Sequence, residues 1–327
     1  MTREFKPAWP LRHPQVQSVL ASFKPRNWTR RVHRMAATAV THVLDCGDKV
    51  RLVGYHSAQP TGLAPKGLVV LIHGWEGSHD SVYLYSLACT LFDQGYNVFR
   101  LNLRDHGGTH DLNEELFHSA RLDEVLGAIK AIERLDPARP LFVVGFSLGG
   151  NFALRVGMRG AAHGVRPALS VGICPAISPG ATLAALDSGP KLFHRYFIKK
   201  WHKTLLAKAA AWPDRYDFSD IWGLTSFTEI TARFVERYTE YGQLDKYLAT
   251  YTLTPDMLRQ SATPLAIITS QDDPVVPFSD FQGIKDNADL RFFAPQHGGH
   301  CGFIEDFRLH SWAEQRVLEL FADAAKA

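Results

Sequence analysis

The stretch VVGFSLGGNF, residues 143–152, places Ser147 between Gly145 and Gly149 directly after an apolar run that is typical of a β-strand. A Gly-x-Ser-x-Gly pattern in this position predicts a sharp turn from a strand into a helix, because side chains two residues to either side of the serine would not fit. The pattern also suits an ordinary glycine-rich turn, so a functional interpretation of Ser147 requires partner residues elsewhere in the chain.

The segments around Ser147 alternate between apolar runs and helical patterns. The apolar runs predict strands, with two short ones within 41–56 and single ones at 68–74, 96–103, 140–146, 168–174, 264–270 and 289–295. Apolar residues at helical spacing predict helices near 80–94, 119–135, 148–159 and 308–325. This alternation is typical of the α/β class, with a mostly parallel central sheet flanked by helices.

The alternation is interrupted between residues 176 and 260, where the sequence has a helical pattern, many aromatic residues and no strand-like run. An insertion of this kind between two sheet strands predicts a helical cap. We therefore expect three parts: an N-terminal extension (1–40) that packs on the core, an α/β core (41–175 and 261–327), and a helical cap (176–260).

Composition and charge exclude several functional classes. The chain has 327 residues, a hydrophobic share of 46% and a net charge of +3, which are ordinary values for a globular protein. The charge is too small to indicate nucleic-acid binding, and no nucleic-acid-binding motif is present. The N-terminus lacks the apolar stretch of a signal peptide and no run of about 18 apolar residues occurs, so the sequence predicts a soluble cytoplasmic protein.

The four cysteines are far apart in the sequence, and no two of them form a CxxC pair. They are Cys46, Cys89, Cys174 and Cys301. This spacing argues against a metal site or a disulfide scaffold and predicts free thiols in a reducing compartment.

Two later segments offer partners for Ser147. Asp272 and Asp273 follow the predicted strand at 264–270, and His297 and His300 follow the one at 289–295. A serine nucleophile needs a base to take its proton and a carboxylate to orient that base. The carboxyl ends of parallel strands lie at one edge of a sheet, so one aspartate and one histidine from these pairs are expected beside Ser147.

The segment HGWEGS, residues 73–78, follows another predicted strand and suits an oxyanion-binding loop. In such a site one donor is the backbone N–H after the nucleophile, and the other comes from an early strand-to-helix loop. We assign these donors to the N–H groups of Leu148 and Trp75. His73, which precedes Gly74, is interpreted as a residue that shapes the loop.

With these motifs the chain resembles the α/β-hydrolase superfamily, and within it the YheT-like group, which includes plant embryogenesis-associated proteins and eukaryotic α/β-hydrolase-domain lipases. The segments that carry the resemblance are HPQVQSVLASF (13–23), HGWEGS (73–78), GFSLGGN (145–151), DDPVVP (272–277) and HGGHCGF (297–303). By position the resemblance implies Ser147 as nucleophile, Asp273 rather than Asp272 as the orienting acid, and His300 rather than His297 as the base.

The resemblance further implies a carboxylic ester hydrolase, either a carboxylesterase or a monoacylglycerol-type lipase, that acts on a small-molecule acyl ester through an acyl-enzyme without a metal or organic cofactor. The alternatives are acyl transfer by the same triad and a non-catalytic binding protein of the same fold. One segment departs from the group: NLRDHGGTH (102–110) stands where many members have an Arg-Gly-Cys type sequence. Substrate preference therefore does not transfer from any one member.

The segment KLFHRYFIKKWHKTLLAK, residues 191–208, mixes basic and aromatic residues at helical intervals. A solvated helix of the cap explains the pattern, and peripheral contact with an anionic membrane surface is the alternative.

Overall fold

The computed structural model describes residues 4–27 and 34–326, except for the side chain of Leu192. The remaining positions, 1–3, 28–33 and 327, lie outside the described residues, so part of the predicted N-terminal extension (1–40) does too.

The described residues form one sheet of eight strands in the order β1-β2-β4-β3-β5-β6-β7-β8. The strands are β1 (Ala39–Asp45), β2 (Arg51–Ser57), β3 (Leu68–Ile72), β4 (Asn97–Leu101), β5 (Leu141–Phe146), β6 (Leu169–Ile173), β7 (Leu265–Ile268) and β8 (Leu290–Phe293). β2 pairs antiparallel with both β1 and β4, and all other neighbours are parallel. The predicted mostly parallel sheet is confirmed.

Helices cover both faces of this sheet. They are α1 (Pro14–Ala21), α2 (Arg34–Ala37), α3 (Val82–Asp93), α4 (Leu122–Leu135), α5 (Leu148–Arg159), α6 (Pro179–Ser188), α7 (Lys191–Ala211), α8 (Phe227–Tyr238), α9 (Leu244–Ala249), α10 (Pro255–Arg259) and α11 (Trp312–Ala324). Because both faces are covered, every residue of β3 and β5 is buried, as the continuous apolar runs in the sequence indicate.

Helices α6 to α10 lie between β6 and β7, in the segment for which the sequence predicts a cap. Trp201 and Phe227 from this segment are buried and belong to the same apolar cluster as Leu148 at the start of α5. The segment therefore packs on the sheet above the carboxyl end of β5.

Lys208 of α7 is fully buried, although the basic pattern of residues 191–208 suggests a solvated helix. Its Nζ lies 2.9 Å from Asp105 Oδ1, and it donates further bonds to backbone oxygens of Asn113 and Glu115. A buried ammonium requires this pairing, because unpaired burial of a charge is costly. Lys208 therefore ties α7 to the segment after β4.

Candidate active site

Ser147 occupies a strained turn between β5 and α5, with φ 52° and ψ −117°. The flanking glycines make this turn possible. A Cβ atom on Gly145 would lie 1.9 Å from the backbone oxygen of Gly149, and one on Gly149 would lie 2.3 Å from that of Ile72. The steric reason that the sequence gives for the two glycines is confirmed, and the positive φ holds the serine at the end of the strand.

Asp273 and His300 are brought together at the same edge of the sheet. Asp273 Oδ2 lies 2.8 Å from His300 Nδ1, and Oδ1 accepts hydrogen bonds from the N–H groups of Val275 and Val276. The Asp273 side chain has no exposed surface. Two backbone donors fix the carboxylate, which in turn fixes the orientation of the imidazole.

The neighbouring pair makes different contacts. Asp272 Oδ1 accepts a bond from the N–H of Gly299 at 2.8 Å, and its Oδ2 lies 3.5 Å from His297 Nδ1. Asp272 thus supports the segment 296–303, which we call the histidine loop. Of the two aspartates, Asp273 is the one that contacts His300.

The environment of His300 favours its protonated form. Burial by itself lowers the pKa of His300, but the Asp273 carboxylate, its hydrogen bond and a hydrogen bond with Cys174 outweigh burial and raise the pKa to about 10. Ser147 and His300 line the same cavity. Ser147 Oγ has no hydrogen-bond partner among the described residues, and bonds of this type often tighten only in the complex with substrate.

The segment 73–78, which we call the oxyanion loop after its predicted role, passes directly beside Ser147. A Cβ atom on Gly74 would lie 3.2 Å from Ser147 Cβ. The N–H of Gly74 donates to Tyr83 Oη, and that of Glu76 lies 3.3 Å from His106 Nε2. By contrast, the N–H groups of Trp75 and Leu148 have no acceptor among the described residues. Two free donors next to the serine are what an oxyanion site requires.

Two buried histidines hold the oxyanion loop. His73 Nδ1 donates to the oxygen of Gly74 while its Nε2 accepts from the N–H of Leu103, and His106 Nδ1 donates to the oxygen of Arg104. With one nitrogen donating and the other accepting, each ring is neutral. Burial is the main cause that lowers the pKa of both His73 and His106, since it disfavours the charged form.

The histidine loop rests on α1, a contact that the sequence did not predict. The Ser18 hydroxyl accepts the N–H of His300 at 2.8 Å. Gln17, which is fully buried, donates from Nε2 to the oxygen of Ile304 and accepts from the N–H of Ile304 at 2.7 Å. The motif HPQVQSVLASF (13–23) indicated that this segment matters, since it contributes to the family resemblance. A sequence motif does not show, however, which loop the helix contacts.

Helix α7 is bound to the oxyanion loop. Lys200 Nζ donates to the backbone oxygen of Glu76 at 3.0 Å, and Thr204 Oγ1 donates to Glu76 Oε2 at 2.6 Å. The ring of Trp75 packs against Trp201, with centroids 5.0 Å apart. The 176–260 segment therefore contacts both residues that follow Gly74.

A cavity of about 1270 Å³ opens over Ser147, between the core and the 176–260 segment. Its apolar wall includes Leu183, Leu186, Phe197, Trp201 and Phe234. This volume exceeds the roughly 300–1,000 Å³ that is usual for small-molecule sites. The cavity therefore has room for a ligand with a long apolar part.

Cys174 and Cys301 also lie beside His300, and the sequence gave no indication of this. Cys174 follows β6, Cys301 follows His300, and the N–H of Cys301 lies 3.3 Å from Cys174 Sγ. Burial raises the pKa of Cys174 well above its ordinary value. The four cysteines, all within the described residues, form no disulfide.

Within residues 4–27 and 34–326, one group of side chains has donors close enough together to share a metal ion. It consists of Cys174, His300 and Cys301. None of the helices in the described residues combines the length and the apolar character of a transmembrane helix.

Comparison with known proteins gives the following relatives. The model of the alpha/beta hydrolase family matches residues 69–309. The Escherichia coli protein named "Putative esterase YheT" is 26% identical over 270 residues, which cover 80% of this chain and 78% of that protein. Monoacylglycerol lipase ABHD2 of Danio rerio is 26% identical over 211 residues, which cover 59% of this chain and half of that lipase.

Solved structures show the same fold. An esterase of Pyrococcus furiosus superposes with a TM-score of 0.63 at 17% identity, and the match covers 92% of this chain and 95% of that one. Est1E from Butyrivibrio proteoclasticus superposes with a TM-score of 0.54 at 16% identity over 88% of this chain and 99% of that one. The predicted fold is confirmed.

Proposed function

Because the chain belongs to the alpha/beta hydrolase family, we propose that it is a carboxylic ester hydrolase in which Ser147, His300 and Asp273 form the catalytic triad. The observation that carries this proposal is the 2.8 Å contact between Asp273 and His300 at the wall of the cavity that Ser147 also lines. A serine hydroxyl is a weak nucleophile unless a positioned base takes its proton. In its neutral form His300 can take that role, because its Nδ1 is bound to Asp273 and its ring lines the cavity in which Ser147 lies.

Acylation begins when Ser147 Oγ attacks the ester carbonyl and His300 Nε2 takes the hydroxyl proton. Asp273 stabilises the imidazolium that forms, since its carboxylate is held by two backbone N–H groups. The negative charge on the carbonyl oxygen is met by the free N–H groups of Trp75 and Leu148, each worth about 2.7 to 4 kcal/mol of transition-state stabilisation. His300 then gives its proton to the leaving alcohol.

Deacylation repeats these steps with water as the nucleophile. His300 takes a proton from water, the resulting hydroxide attacks the acyl-enzyme, and the proton returns to Ser147 Oγ. No bond is formed or broken in these steps that needs a metal or an organic cofactor.

The finer assignment is a monoacylglycerol-type lipase or a carboxylesterase that prefers long acyl chains. The apolar wall formed by Leu183, Leu186 and Phe234 supports it, as does the similarity to a protein named monoacylglycerol lipase. Burial of each additional methylene is worth about 0.8 kcal/mol. We expect kcat/KM for p-nitrophenyl esters to rise with acyl length until the cavity is filled. A profile that falls steadily from acetate would contradict this assignment while leaving the triad intact.

The triad is tested by labelling with a fluorophosphonate probe, which reacts quickly only with an activated serine. We expect the wild type to be labelled, Ser147→Ala to remain unlabelled, and its ester hydrolysis to fall by at least about 10,000-fold. Ser22→Ala is the matched control, because Ser22 lines the same cavity and has no role in the proposed mechanism. Labelling that persists in folded Ser147→Ala, or a folded wild type that does not react, would overturn the proposal.

A further inference from the structure

Three side chains with metal-binding atoms meet beside the proposed active site. The sulfur atoms of Cys174 and Cys301 and one ring nitrogen of His300 all lie within 4.8 Å of one another. Cys174 comes from the end of β6, and the other two come from the histidine loop. Both cysteines have positive φ, 45° for Cys174 and 63° for Cys301, a conformation that non-glycine residues seldom adopt. The fold thus holds two thiols against one imidazole at the cost of backbone strain.

The contacts of the imidazole leave one nitrogen for a metal ion. His300 Nδ1 is bound to Asp273 at 2.8 Å, so Nε2 is the nitrogen that a cation would use. A carboxylate on the far nitrogen of a histidine ligand is the usual arrangement in zinc sites, where it fixes the ring and raises its basicity. Asp273 is therefore placed to support a metal ligand as well as a catalytic base.

The donor set selects the kind of cation. Two sulfurs and one imidazole nitrogen suit zinc and other thiophilic ions, whereas magnesium and calcium prefer oxygen ligands. Tetrahedral zinc, with Zn–S bonds of about 2.3 Å, places its ligand atoms roughly 3.5 to 3.8 Å apart. The three atoms here, which lie within 4.8 Å of one another, need to approach by at most about 1.3 Å. Cys301 and His300 line the cavity, which supplies an entry path and leaves the fourth position to water.

We propose that Cys174, His300 and Cys301 form a binding site for zinc whose occupation inhibits the enzyme. Each thiol releases its proton to solvent as its sulfur binds the cation, and the His300 imidazolium likewise releases its Nε2 proton before the Nε2 lone pair binds, so no oxidation or reduction takes place. That lone pair is the one that accepts the Ser147 proton. A bound cation therefore removes the base without displacing the serine.

The binding part of this proposal is tested without measuring catalysis. Co²⁺, which takes the same tetrahedral sites as zinc, is titrated into the full, reduced chain while thiolate-to-metal charge-transfer absorption is recorded. We expect a one-to-one signal that zinc abolishes by displacement. Cys174→Ala and Cys301→Ala should each weaken Co²⁺ binding by at least about tenfold. Even the loss of a residue that only hydrogen-bonds a metal ligand typically lowers metal affinity by that factor. Cys46→Ser, which changes a cysteine at the β1–β2 turn, should bind as the wild type does.

Inhibition depends on the proposed function, and a second measurement separates the two. Zinc should inhibit ester hydrolysis by the wild type, with at least about a tenfold higher zinc concentration required for Cys174→Ala. Ser147→Ala should still bind Co²⁺, because the serine is not a ligand; this result would stand even if the chain were not an esterase. The proposal is overturned if the charge-transfer band is absent or survives in both cysteine variants. It is also overturned if zinc inhibits Cys174→Ala and the wild type equally.

Discussion

The histidine loop and the oxyanion loop flank Ser147, but they are held by different kinds of contact. The histidine loop packs on α1 at the level of the backbone: a Cβ atom on Gly299 would lie 2.3 Å from the oxygen of Pro14, and one on Gly302 would lie 2.5 Å from that of Gln17. Such close packing leaves the loop little freedom to move.

The oxyanion loop is held by the core histidines His73 and His106 and, in addition, by side chains of the helix that covers the cavity. Lys200 and Thr204 of α7 bind Glu76, and Glu76 itself has a strained φ of 55°. The comparison indicates that His300 is fixed by the core of the fold, whereas Trp75, the proposed oxyanion donor, is also coupled to the segment above the cavity. Changes in α1 should therefore act on the base, and changes in α7 on the oxyanion donor.

The largest effect is expected for the two adjacent aspartates that contact the histidine loop, Asp272 and Asp273. Asp273→Asn should lower kcat by about 10,000-fold, because the amide no longer stabilises the imidazolium or fixes its tautomer. Asp272→Asn is the matched control and should retain most activity, since its amide oxygen can still accept the N–H of Gly299. Steady-state kinetics on a p-nitrophenyl ester measures both variants. Equal losses in the two would mean that the aspartates share one structural role.

The next largest effect concerns the support from α1. Gln17→Leu should lower the free energy of unfolding by about 1 to 3 kcal/mol, because it leaves the buried N–H and oxygen of Ile304 without partners. Gln15→Leu, in the same helix but exposed, should change it by less than about 0.5 kcal/mol. Urea unfolding gives both values. If the two variants lose the same stability, α1 does not anchor the histidine loop.

These contacts also show how far the sequence could lead. The strands, the glycines of the serine turn and the order of the site motifs are local features, because apolar runs and tight turns leave a direct pattern in the chain. The rule that parallel strands end at one edge of a sheet predicted one aspartate and one histidine beside Ser147, and the resemblance to the α/β-hydrolase superfamily selected Asp273 and His300.

Other features depend on tertiary packing, which has no local pattern. Cys174 and Cys301 are 127 residues apart, so their spacing argued against a shared site, yet β6 and the histidine loop bring them together. Lys208 belongs to a segment whose basic pattern indicates a solvent-exposed helix. The tertiary fold nevertheless places its ammonium group against the Asp105 carboxylate. In both cases the pairing partner comes from a distant element.

The histidines of the oxyanion loop and of the histidine loop should make the free energy of unfolding depend on pH in opposite directions. Unfolded histidines bind protons near pH 6.5, whereas burial lowers the pKa of His73 and His106 in the fold. The unfolded state then binds more protons, so the free energy of unfolding falls as pH drops below about 6.5, by up to about 1.4 kcal/mol per histidine and pH unit.

For His300 the sign is opposite. Its raised pKa of about 10 stabilises the fold fully below pH 6.5, and this contribution is lost as the pH rises through the folded value. Urea unfolding at about pH 5.5, 7.5 and 9.5 measures both limbs. Asp273→Asn should reduce the alkaline loss and leave the acid loss unchanged. If the loss of unfolding free energy at acid pH also disappears in this variant, the histidine loop and the oxyanion loop are not independent.

The smallest effect is expected at the contact between α7 and the oxyanion loop. Lys200→Met removes the donor to the oxygen of Glu76 and should lower kcat/KM by about three- to tenfold, the worth of roughly one hydrogen bond. Lys199→Met removes the same charge from the exposed face of α7 and should stay within about twofold. The acid limb of the pH–rate profile should match the wild type in both variants, since His300 is held by α1 and Asp273. A shift of the acid limb of the pH–rate profile in Lys200→Met would mean that α7 also positions His300. The proposed separation of roles between α1 and α7 would then be wrong.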